Sequence, residues 1–114
     1  MDDEFPIFTP QGPAESFLED LQEELEQEKR SAKAGTATNL AVILPGGREV
    51  YPNWFGARGQ MLILQGFDEK QRDCRVLVAY SAVTIVLTKV PATEPRAARP
   101  IGFQSRREAT PKAE

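Results

Sequence analysis

Between Leu40 and Val90 the chain alternates short apolar runs with turn residues, and none of these runs is long enough to build a helix of ordinary length. Leu40–Leu44 stops at Pro45-Gly46-Gly47, and Arg48–Phe55 resumes with Val50, Tyr51, Trp54 and Phe55. Met61–Leu64 ends before Gly66 and the polar stretch Asp68–Asp73, while Cys74–Tyr80 and Val83–Val90 are separated by Ser81-Ala82 alone. Runs of four to eight residues, rich in β-branched and aromatic side chains and bounded by Gly or Pro, read as strands. The spacing therefore predicts five antiparallel strands, with hairpin turns at 45–47 and 68–73. Pro52 cannot donate to a ladder, so the second strand is bent or interrupted there, and Gly56 and Gly59 bracket a tight loop around Ala57 and Arg58. The unbroken apolar run of the third strand predicts burial on both of its faces.

Ahead of the strands lies a different pattern. Ser16 followed by Glu19 fits a capping box, and Phe17, Leu18, Leu21 and Leu25 form a narrow apolar stripe at helical spacing, ending at Lys29 and Arg30. This predicts a helix over about 14–31, docked on its own domain or on a partner, followed by a small, polar linker to 39. Residues 1–13 carry Pro6, Pro10, Gly12 and Pro13 and read as a flexible arm, and residues 91–114, with four prolines and an excess of Arg and Lys, read as a basic disordered tail. The folded unit expected is 14–90: mainly β with one N-terminal α-helix. A sheet this small buries little, so it either bends strongly into a closed barrel or pairs its edges with other copies.

Composition narrows the chemistry. The 114 residues include no His and one Cys, Cys74, so a histidine base, a Cys/His metal cluster and an intrachain disulfide are all excluded. The remaining carboxylates crowd one helix without a second element converging on them. A non-enzymatic protein without cofactor or metal is the expectation. Residues 1–28 hold ten of the 17 acids and none of the 14 bases, which leaves a polyanionic head on a basic body. Such a body attracts polyanions through its summed field, and the head opposes that attraction. The residues after Met1 lack the basic and apolar regions of a secretory signal, and no apolar run approaches the ~20 residues of a membrane span. A cytoplasmic location and no membrane contact are expected.

Helix, then five strands, with a bend in the second, a polar hairpin between the third and fourth and an almost immediate step into the fifth, resembles the Sm-like fold shared by bacterial Hfq and the LSm proteins. The resembling residues are Leu40–Leu44 with Gly46-Gly47-Arg48, Gly59–Leu64, and Val76–Leu87. They lie within residues 14–90. The resemblance implies a small five-stranded barrel, a homo-oligomeric ring of six or seven copies joined through the fourth and fifth strands, and binding of single-stranded RNA. The edge residues implied are Val76, Val78, Ile85 and Leu87. Where Hfq has a Lys-His pair beside a Tyr, this chain has Tyr80-Ser81-Ala82, and that difference keeps a second reading open: an assembly or protein-interaction module with the same barrel, recruiting a protein partner through the acidic helix.

For RNA, the candidate residues are Trp54, Phe55 and Arg58, because an aromatic face beside a guanidinium stacks a base and neutralises a phosphate. Gln60, Tyr80 and Ser81 join them at positions matching the family's binding loops. The competing reading of Trp54 and Phe55 is that both are core residues.

Overall fold

The structure is a computed structural model that describes residues 12–94 and 100–104. The first strands follow a helix, α1 (Pro13–Arg30), and run as β1 (Thr36–Ile43), β2 (Glu49–Arg58), β3 (Met61–Asp68), β4 (Asp73–Ala79) and β5 (Thr84–Pro91), with a 3-10 turn at Tyr80–Ala82 and a short β6 (Gly102–Phe103). The five main strands form one antiparallel sheet in the order β4-β3-β2-β1-β5.

The helix covers the expected range within a residue, but its cap lies one turn before Ser16. Gly12 is the N-cap, Pro13 fills the first helical position, and the Glu15 carboxylate accepts the Gly12 N–H at 3.2 Å. Proline suits that position because its missing donor would be an orphan there anyway. The N-terminal end of the helix is tied to the β2–β3 turn, since the Ala14 N–H donates to the Gly59 carbonyl at 3.0 Å. Ala14, Leu18, Leu21 and Leu25 are buried against Leu40, Val42, Phe55, Ala57, Leu62 and Leu64 on the inner face of the sheet. The apolar stripe is thus taken up by the chain's own core, and the acidic side of α1 faces outward.

Strand boundaries differ from the sequence expectation where polar residues pair. Thr36–Asn39 belong to β1, not to a linker, because they continue the register with β5 from Thr36↔Pro91 to Ile43↔Thr84. β2 is continuous through Gly56, so no loop surrounds Ala57 and Arg58, and the two-residue turn is Gly59-Gln60, with Gly59 at φ +62°. The expected bend is a bulge between Pro52 and Trp54. Gly66 makes that crossing feasible, because a Cβ there would overlap the Tyr51 carbonyl oxygen. β3 alternates instead of burying both faces: Leu62 and Leu64 point inward, while Met61 is 42% exposed.

The sheet does not close into the expected barrel. β4 pairs only with β3, and β5 only with β1, among the described residues. The chain also continues past the expected boundary at 90: Gly102–Phe103 add to β2 in parallel. The arm up to residue 11 and tail residues 95–99 and 105–114 lie outside the described residues. No helix of the described residues is long and apolar enough to cross a membrane.

Candidate nucleic-acid interface

Antiparallel partners share a face, so the register lays out the outer, solvent-facing side of β2, β3 and β4 row by row. Arg58, Met61 and Ala79 form one row, Gly56, Ile63 and Leu77 the next, and Trp54, Gln65 and Arg75 the third. Gly56 leaves a gap that the Trp54 indole covers, since a Cβ on Gly56 would lie 2.5 Å from the ring. The half-buried Trp54, half-buried Ile63 and Leu77, which is 58% exposed, therefore make a continuous apolar strip with Met61 beside it. Arg58 and Arg75, both exposed, stand at opposite corners.

Of the sequence-derived candidates, the structure gathers Arg58, Gln60, Tyr80 and Ser81 at one end of the sheet. The Tyr80 N–H donates to the Gln60 carbonyl at 3.0 Å, which fixes the 3-10 turn against the β2–β3 turn. Arg58, Gln60 and Ser81 are exposed. Tyr80 is half-buried, its ring tilted against Phe17 at 6.1 Å between centroids. Phe55 is different: it is fully buried and stacked on Phe103 with centroids 5.2 Å apart, so its ring has no face left for a base. Trp54 sits on the outer face, above a groove shared with Arg58, Ile63, Gln104 and Glu15. The Glu15 carboxylate beside Arg58 opposes a phosphate in that groove.

The expected edge residues Val76, Val78, Ile85 and Leu87 are half-buried and packed against the core. Their side chains hold the edge strands in place, and the edges themselves offer backbone donors and acceptors to solvent. Arg75, Met61, Ile63 and Leu77 are absent from the sequence-derived set. The alternation Arg75-Val76-Leu77-Val78 carries the signal, since period-2 spacing sends Arg75 and Leu77 to the face opposite the two valines.

Among the described residues, Asp68 and Cys74 depart from their ordinary ranges. The backbone N–H of Arg72 is the main cause holding the Asp68 carboxyl below the usual range, while burial opposes it; the Arg72 side chain and the Lys70 N–H assist the lowering. Burial pushes the Cys74 thiol up, and the Asp68 carboxylate adds to this. A raised thiol is a poor nucleophile, and Cys74 is half-buried in its strand. Among the described residues no group of three or more His, Cys, Asp or Glu side chains is placed to hold a metal ion. Compared with family models, curated proteins and solved structures, the chain matches none.

Proposed function

We propose that this protein is a non-enzymatic, Sm-like oligomer, assembled edge to edge through β4 and β5, that presents its basic-apolar sheet face to single-stranded RNA. The observation that carries the reading is the pair of edges, unpaired among the described residues, at the two ends of one sheet, β4 with seven residues and β5 with eight. Edges of matched length on one continuous sheet are complementary under rotation, and a head-to-tail contact of that kind closes into a ring when the rotation permits. A ring of six or seven copies follows from the resemblance. Each copy then contributes one strip of Trp54, Ile63, Met61 and Leu77 between Arg58 and Arg75, on which bases stack while guanidinium groups meet phosphates.

A second reading is favoured by the burial of Phe55, the packing of Tyr80 on Phe17 and the carboxylate of Glu15 beside Arg58. In it the chain is an assembly or interaction module that has lost RNA binding, and the outward acidic side of α1 recruits a basic protein. Light scattering on the full chain, joined to titration of a labelled single-stranded RNA at two salt concentrations, separates the readings. Assembly with salt-sensitive binding that weakens in Arg58→Ala and Arg75→Ala supports the first. Assembly without RNA binding at low salt supports the second. A chain that stays monomeric at high micromolar concentration refutes the edge-to-edge assembly of the first.

A further inference from the structure

β2 has an edge that β1 does not use. The two strands pair only at Val42↔Val50 and Ile43↔Glu49, after which β1 continues along β5 and β2 bends away at its bulge. Between Trp54 and Ala57 the edge so exposed is occupied by a segment from the far end of the chain, running parallel, with Gly102 opposite Trp54 and Phe103 opposite Phe55.

Each residue of that segment meets a different requirement. At Gly102 a Cβ would lie 3.2 Å from Trp54 Cδ1, tighter than ordinary contact, so a side chain opposite the indole must push the ring aside by a few tenths of an ångström, and a branched one by more. At Phe103 the ring stacks nearly parallel on Phe55, at 8° and 5.2 Å. Gln104 makes two hydrogen bonds: its N–H donates to the Phe55 carbonyl at 2.8 Å, and its Oε1 accepts the Ala57 N–H at 2.9 Å. Gly56 provides the space in which this amide and the Trp54 ring meet, since a Cβ there would stand 2.6 Å from Gln104 Oε1. These are the ingredients of strand addition: main-chain bonds for affinity and alternate side chains for selection.

Among the described residues, Gly102 and Phe103 are the ones in register with β2, and the segment leaves space unfilled beside it. A cavity of about 310 Å³ remains beside Ile101 and Phe103, lined also by Leu25, Glu26, Lys29 and Ala37. We infer that the β2 edge from Trp54 to Ala57 is a peptide-binding site for an extended partner strand carrying the signature Ile-Gly-Phe-Gln, held in the isolated chain by its own Ile101–Gln104. The tether raises the local concentration of the resident segment to the millimolar range, so a partner strand competes by filling more of the groove. This site lies apart from the edges of β4 and β5 and does not depend on RNA binding.

The test uses the full chain and a fluorescently labelled peptide of residues 98–106, with binding followed by anisotropy. Wild-type protein should bind weakly, and the Phe103→Ala/Gln104→Ala double variant about tenfold or more tightly, because its own segment no longer competes. A peptide with valine in place of its glycine should lose binding by about tenfold against the same variant. A folded double variant, checked by circular dichroism, that fails to bind the peptide overturns the inference. So does equal binding of the valine peptide. If the double variant does not fold, wild-type protein is titrated with both unlabelled peptides to millimolar concentration while the emission of Trp54, the chain's only tryptophan, is recorded. A change produced by the glycine peptide alone supports the site, and no change or an equal change overturns it.

Discussion

Asp68 ends β3 only 3% exposed, and its carboxylate is the hub of the β3–β4 hairpin. One oxygen accepts the Lys70 and Arg72 N–H groups at 2.9 and 3.0 Å, and the other accepts Arg72 Nε at 2.8 Å. These donors favour the charged form, so the folded pKa lies below the unfolded one. Stability from this group is therefore complete above the ordinary carboxylate range and is lost as pH falls through the depressed folded value. Asp68→Asn should lower the melting temperature at pH 7, and the gap to wild type should narrow as pH is taken below about 4. A gap independent of pH would remove the carboxylate from the explanation. Gly66 presents the opposite case, in which what matters is an atom that is missing. Gly66→Ala should destabilise the fold by about 2–4 kcal/mol in denaturant titration, because the new methyl meets the Tyr51–Pro52 backbone at the bulge instead of a movable side chain. In the sequence Asp68 reads as one polar residue of a hairpin tip and Gly66 as a strand end. Neither role was legible there, since each depends on a neighbour that the register supplies.

The hairpin joining β3 to β4 carries its own strain. Gln71 has φ +64°, the left-handed conformation that favours glycine, and its N–H donates to the Asp68 carbonyl at 3.0 Å. A side chain there costs about 1–2 kcal/mol in local conformation, partly offset by the greater unfolded-state freedom of glycine. Gln71→Gly should therefore raise stability, by about 1 kcal/mol or less, and slow exchange of the hairpin amides. For α1 the direction reverses: Leu21→Ala opens a cavity between helix and sheet and should cost about 2–4 kcal/mol, read as a lower denaturation midpoint. Elements of this kind were largely legible. The helical stripe and the apolar runs lie within contiguous sequence, and the existence of β1 to β5 follows from them. Thr36–Asn39 were not legible as strand, being small and polar and held by a register with β5 about fifty residues away. β6 was hidden more completely, for Gly102 beside Pro100 reads as tail, and its partners Trp54–Ala57 lie 47 residues away at the Gln104–Ala57 contact.

At the scale of the molecule, charge and topology act together. The sheet's outer face carries Arg58 and Arg75, while α1, packed on the inner face, turns Asp20, Glu23 and Glu24 to solvent. Lys89 of β5 binds Glu28 and so joins the helix end to an edge strand, with its ammonium 3.1 Å from the Glu28 carbonyl. Removing the acidic head by truncation cannot test its electrostatic effect, because Leu18, Leu21 and Leu25 in the same segment are core. The charges must be removed without the helix. In the full chain, Asp20→Asn, Glu23→Gln and Glu24→Gln together leave the packed face untouched and delete three exposed negative charges. If the basic-apolar face binds single-stranded RNA, this triple variant should bind it several-fold more tightly at low ionic strength. The gain should shrink as salt shortens the Debye length from ~30 Å at 0.01 M to ~8 Å at 0.15 M. Arg58→Ala in the same background should reduce affinity and flatten the salt dependence, since one fewer phosphate contact releases one fewer counterion. A gain that persists unchanged at high salt would point to altered assembly instead of altered field, which light scattering on the same samples would reveal as a change in mass.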